Sequence, residues 1–133
     1  MDRVPFVRSI MSPENPRILA VDDTPDNLYL LEAILSSENY ELSCVNDGEL
    51  ALESVSKSPP DLILLDLMMP RVSGYEVLRR IRQNVQLPRI PILLITADRE
   101  ISPQQGSAAG ADGILYKPFD ISKLLGLIRS LLP

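Results

Sequence analysis

The 133-residue sequence has no histidine. That absence removes a Ser-His-Asp triad, histidine metal ligation and a role as phosphohistidine carrier, since each needs an imidazole. Its single cysteine, Cys44, cannot form an internal disulfide. Placed in a strand expected over 40–45, it reads as a buried small hydrophobe in a reducing compartment, with no chemical role. No stretch approaches the roughly eighteen consecutive apolar residues of a membrane span. Residues 1–16, interrupted by Arg3, Arg8 and three prolines, also lack the apolar centre of a signal peptide. The expected location is therefore the cytoplasm. No glycine-rich phosphate loop follows the first apolar run, which disfavours a flavin or dinucleotide carrier. No basic run exists either, and with a net charge of -5 direct nucleic-acid contact and a DNA-binding output domain are not expected.

What the chain does have is short, unbroken apolar runs closed by polar residues. Residues 61–66 read Asp-Leu-Ile-Leu-Leu-Asp, followed by Leu67-Met68-Met69-Pro70. A run of this length suits a strand covered on both faces, as in a parallel sheet, and Pro70 arrives too early for a buried helix. Asp66 then stands at the carboxyl end of a central strand, the edge of an open α/β sheet where ligands bind. A second run, Ile18-Leu19-Ala20-Val21, ends in Asp22-Asp23 and leads into Thr24-Pro25, a helix start with a capping hydroxyl and a first-turn proline.

If these strands are adjacent, two or three carboxylates meet at one edge. Two unit charges about 4 Å apart repel by roughly 4 kcal/mol at an effective dielectric near 20, so the cluster needs a cation or raised pKa values. Oxygen-only ligands that leave room for water favour Mg²⁺, with Mn²⁺ as the alternative, over zinc. Two more runs end in Thr96 and in Lys117. A hydroxyl and an ammonium beside a metal-bound carboxylate supply donors for the oxygens of a phosphoryl group.

The composition, 45% apolar and 23% charged, is that of one globular domain over 17–133, preceded by a flexible extension over 1–16. Strands are predicted near 17–22, 40–45, 61–66, 91–96 and 113–117. Helices are predicted near 25–37, 48–57, 74–83, 103–109 and 121–132. This alternation gives an α/β fold with a parallel sheet and helices on both faces. Leu28, Leu31 and Leu35 form one core stripe, and Leu124, Leu127, Ile128 and Leu131 form another.

The order and spacing of Asp22-Asp23, Asp66, Thr96 and Lys117, with Asp66-Leu-Met-Met-Pro, Gly74, Gly110-Ala111-Asp112 and Lys117-Pro118-Phe119, resemble the response-regulator receiver domain over residues 17–132. The resemblance implies a five-stranded parallel sheet of flavodoxin/CheY-like (βα)5 type, strand order 2-1-3-4-5, with a cis peptide before Pro118. It implies that Asp66 is the phosphoacceptor. Asp23, Asp66 and the backbone carbonyl of Met68 would bind Mg²⁺ directly, and Asp22 through water. Thr96 and Lys117 would contact the phosphoryl oxygens. Met68 and Asp98 would flank the path of the water that hydrolyses the acyl phosphate. The implied donor is a sensor histidine kinase or phosphotransfer protein. The output would be a downstream protein docked on the face of helix four, strand five and helix five, from a monomer or a phosphorylation-dependent dimer. Apart from slow self-phosphorylation and autodephosphorylation, no enzyme activity is expected.

One departure stands out. Where such domains place Tyr or Phe three residues before the lysine, this chain has Ile114. Tyr116 shares its face by the period of two, so both are expected to point outward on the output face, with Tyr116 read as an ordinary edge-strand tyrosine or, alternatively, a substitute for the missing aromatic. Gly106, in a helix of barely two turns, costs about 0.5–1 kcal/mol against Ala and suits an element that moves. The rival readings are a phosphorylation-independent docking module, a receiver fragment of a hybrid kinase, and a small aspartyl-phosphate phosphatase. The last would need a second aspartate two residues beyond a nucleophilic one after the first strand, which Asp22-Asp23-Thr24 lacks.

Overall fold

A computed structural model describes residues 15–132. The extension expected over 1–16 lies outside them except for its last two residues. Strands β1 (Arg17–Val21), β2 (Glu41–Val45), β3 (Leu62–Asp66), β4 (Ile92–Thr96) and β5 (Gly113–Tyr116) alternate with helices α1 (Pro25–Leu35), α2 (Gly48–Lys57), α3 (Gly74–Gln83), α4 (Pro103–Ala108) and α5 (Ile121–Leu131). All strand pairs are parallel, in the order β2-β1-β3-β4-β5. The order reverses between β1 and β3, so the loops that follow these two strands diverge to opposite faces and leave a crevice at their carboxyl ends.

The period of two divides each strand between two cores. Leu19, Val21, Ile63, Leu65, Ile92 and Leu94 face α2 and α3, where Ala51, Val55, Val77, Leu78 and Ile81 are buried. Ile18, Ala20, Leu62, Leu64, Leu93 and Ile95 face α1 and α5, meeting Leu31, Leu35, Leu124 and Ile128. Every residue of β3 and β4 is buried, which is why those two runs are the least interrupted in the sequence.

The helices begin where the sequence predicts, and the details differ at three places. Thr24 occupies the N-cap of α1, but its side chain makes no capping hydrogen bond, and the helix gives way at Ser36–Glu38 to a 3-10 turn. Asp22 Oδ1 accepts the Thr24 backbone N–H at 2.9 Å, just ahead of the helix. Cys44 is exposed, not buried, because β2 is an edge strand with β1 on one side only. Ile114 and Tyr116 are half-buried, and Ile114 packs against the core under α4. The short α4 starts with a reciprocal cap between Ser102 and Gln105. Its Gly106 is buried, a Cβ there lying 3.5 Å from Leu94. The Lys117–Pro118 peptide is cis, as expected.

Candidate functional site

Each predicted site residue follows or ends a strand at the carboxyl edge of the sheet. Asp22 and Asp23 follow β1, Asp66 ends β3, Thr96 ends β4 and Lys117 follows β5. One carboxylate oxygen from each of Asp22, Asp23 and Asp66 can be chosen so that all lie within 4.8 Å of one another. The crowding expected of adjacent strands is therefore present.

The three carboxylates differ in how much of their capacity the protein uses. Asp22 is buried and well supplied: Oδ1 takes the Thr24 N–H, and Oδ2 takes the Asn27 side-chain amide at 3.1 Å and the Lys117 ammonium at 3.1 Å. Asp66 is also buried, but receives only the Met68 N–H on Oδ1, at 3.1 Å. No hydrogen bond or ion pair to the partly buried Asp23 is found among the described residues. Asp66 and Asp23 thus keep the lone pairs that an oxygen-seeking cation would take, whereas those of Asp22 are largely committed.

Electrostatics point the same way. Burial, above all, pushes the Asp66 carboxyl up to about 6 from an ordinary 3.8. The Met68 N–H opposes that shift, Asp22 adds to it, Lys117 opposes it, and Asp23 adds again. A cation at this position would relieve both the desolvation and the like-charge crowding. The uncommitted lone pairs of Asp23 and Asp66, at the carboxyl edge of the sheet, fit Mg²⁺.

Thr96 is fully buried, and its Oγ1 accepts the Asp98 N–H at 3.0 Å while its carbonyl accepts the Lys117 N–H at 2.8 Å. Its hydroxyl proton remains free to donate. Gly74 brings the start of α3 against the phosphoacceptor loop: a Cβ there would lie 2.2 Å from the Asp66 carbonyl oxygen, so no side chain fits. Beside the carboxylates a cleft of about 410 Å³ opens between α1 and the loop into α5, with Leu30, Leu31, Leu64, Ile95 and Phe119 among its walls. Met68, whose N–H bonds Asp66, has its side chain 59% exposed.

Sequence reasoning missed Asn27, which fixes the orientation of Asp22. Its position in the first turn of the helix that leaves the acidic pair was the available signal. It also missed that Lys117 would rest on Asp22, a contact that no local pattern encodes.

A doubly wound parallel sheet carrying an acidic cluster, a threonine and a lysine at successive strand ends defines a class of signalling α/β modules. The chain belongs to the response regulator receiver domain family, whose model matches residues 18–129. It is 44% identical over 116 residues to the response regulator PleD of Caulobacter vibrioides, covering 86% of this chain and 26% of PleD. It spans about half the length of other curated relatives, such as MprA of Mycobacterium leprae. Among solved structures, the chemotaxis protein CheY4 of Vibrio cholerae superposes with a TM-score of 0.80 at 34% identity, covering 89% of this chain and 99% of that one. The response regulator TrrA of Thermotoga maritima, solved in complex with Mg²⁺-BeF, gives 0.79 at 36%, covering 88% and 99%. Two-component signalling, phosphorylation and Mg²⁺ binding are general properties of the family. No helix among the described residues is long and apolar enough to cross a membrane.

Proposed function

We propose that this chain is a phosphorylation-dependent docking switch in which Asp66 accepts a phosphoryl group from the phosphohistidine of a sensor kinase or phosphotransfer protein. The observation that carries this reading is the unequal use of the three clustered carboxylates, with Asp66 buried and underused while Asp22 is saturated. A free Asp66 oxygen attacks phosphorus, a P–O bond forms, and the P–N bond to the donor imidazole breaks, its electron pair leaving with the ring. Bound Mg²⁺, held by Asp23, Asp66 and the Met68 carbonyl with Asp22 through water, would neutralise oxygen charge during that transfer.

The Lys117 ammonium exchanges Asp22 for a phosphoryl oxygen, and the Thr96 hydroxyl donates to another. Transfer from small phosphodonors and slow hydrolysis of the acyl phosphate use the same residues. The switch is read as a cytoplasmic unit, a monomer or phosphorylation-dependent dimer, with a downstream protein docked on α4, β5 and α5. Incubation of the whole chain with acetyl phosphate and Mg²⁺, followed by intact mass measurement, tests the reading. One added phosphoryl group that fails to form when EDTA is present from the start supports it. An unchanged mass, under conditions that label a control receiver, favours phosphorylation-independent docking instead.

A further inference from the structure

The loop between β4 and α4 is tied to the dipeptide Tyr116-Lys117 at four points. At its root the Thr96 carbonyl accepts the Lys117 N–H at 2.8 Å, and in the middle Arg99 Nη2 donates to the Lys117 carbonyl at 3.2 Å. The same guanidinium lies 5.6 Å from the Tyr116 ring centroid, within cation–π range. At the far end, next to the cap of α4, the Tyr116 hydroxyl donates to the Ile101 carbonyl. Ile114, three residues before the lysine, is fixed by core packing under α4 and has no hydroxyl to offer.

We propose that Tyr116 and Arg99 form a brace through which the β4–α4 loop senses the partner of the Lys117 ammonium. The inference rests on the phosphoacceptor reading above and assigns its transmission to residues particular to this chain. In the structure the ammonium rests on Asp22 and the brace is closed. A phosphoryl group on Asp66 draws the ammonium and the Thr96 hydroxyl toward it. Both belong to residues that anchor the loop, since Thr96 Oγ1 also holds the Asp98 N–H. The loop cannot follow both anchors and keep Ile101 on Tyr116, so the brace opens and the start of α4 is released. Tyr116 is here a positioning residue and takes no part in phosphoryl chemistry.

Amide exchange on the full chain, with and without Mg²⁺ and beryllium fluoride as phosphoryl mimic, tests this in wild type, Tyr116→Phe and Arg99→Gln. The amides to follow are Asp98, Glu100, Gln105 and Gly106, which the loop and cap protect. In wild type the mimic should speed their exchange about fivefold or more, the factor that one net hydrogen bond carries. Tyr116→Phe should already exchange faster by about that factor without the mimic, and respond to it much less. Arg99→Gln, altered at an exposed side chain, should shift the same way. Labelling of Asp66 by acetyl phosphate should persist in both variants. If both variants match wild type in both states while the mimic binds, or if the wild-type loop ignores a bound mimic, the brace is refuted and the phosphoacceptor reading stands. If wild type neither binds the mimic nor is labelled, the phosphoacceptor reading fails and takes the brace with it.

Discussion

Lys117 Nζ lies 3.1 Å from Asp22 Oδ2, so the lysine of the site is paired with the saturated carboxylate and not with the underused one. The pair spans β5 and β1 across the carboxyl edge of the sheet, over a cleft that Asp66 also lines. It keeps a mobile side chain in place and leaves Asp66 with only partial compensation for its burial.

The first expectation concerns metal affinity. In the proposed site Asp22 would reach a bound cation only through water, and such outer contacts typically contribute about 10–100-fold to affinity. Asp22→Ala should therefore weaken Mg²⁺ binding by that range or less, and Asp23→Ala by more. Calorimetric titration of the two variants and wild type decides it; equal affinities would overturn the assignment of direct and water-mediated ligands.

The second concerns pH. Because the folded-state pKa of Asp66 is raised from 3.8 to about 6, the native protein binds more protons than the unfolded chain across that interval. By linkage, this group's contribution makes stability fall as pH rises from about 4 to 6, and the cost persists above 6. In EDTA, Asp66→Asn should stabilise the fold at pH 7 by up to about 3 kcal/mol and lose that slope, and Mg²⁺ should restore wild type. Urea unfolding at pH 4 and pH 7 provides the test, with parallel pH profiles as the adverse result.

Two glycines should respond in opposite directions. A Cβ at Gly74 would meet the Asp66 carbonyl oxygen at 2.2 Å and Leu67 Cα at 2.6 Å, both backbone atoms. Gly74→Ala should cost about 1–3 kcal/mol and weaken Mg²⁺ binding, because the displaced loop carries Asp66 and Met68. At Gly126, in α5, a Cβ meets nothing within 4 Å, and Gly126→Ala should stabilise by about 0.5–1 kcal/mol. Thermal unfolding of both separates a close backbone approach from simple helix propensity.

The lifetime of the acyl phosphate offers a fourth check. Met68 is exposed, directly after the residue that follows Asp66. Replacing its apolar side chain by an amide in Met68→Asn should admit and orient water, shortening the lifetime while labelling persists. An unchanged decay rate would remove Met68 from the hydrolysis step.

The strands were legible because β3 and β4 are buried on both faces and admit nothing polar before their last residue. Asp66 and Thr96 stood out for the same reason. Cys44 was misread because an apolar-looking pattern cannot tell an edge strand from a central one. Thr24 stands at the N-cap as read, but its hydroxyl makes no capping bond and the Asn27 N–H goes to the Thr24 carbonyl instead. The pairing of Lys117 with Asp22 and the bond from Tyr116 to Ile101 join distant parts of the chain, and local periodicity carries no information about them.

In the proposed switch Asp66 is the residue phosphorylated, and only with a divalent cation present. Borohydride reduces an aspartyl phosphate to homoserine, so reduction after treatment with acetyl phosphate and Mg²⁺, followed by peptide mass mapping, locates the acceptor. The account expects homoserine at position 66 alone, and none in EDTA or in Asp66→Asn. Homoserine at position 22 or 23, or labelling of wild type carried out in EDTA, would contradict it.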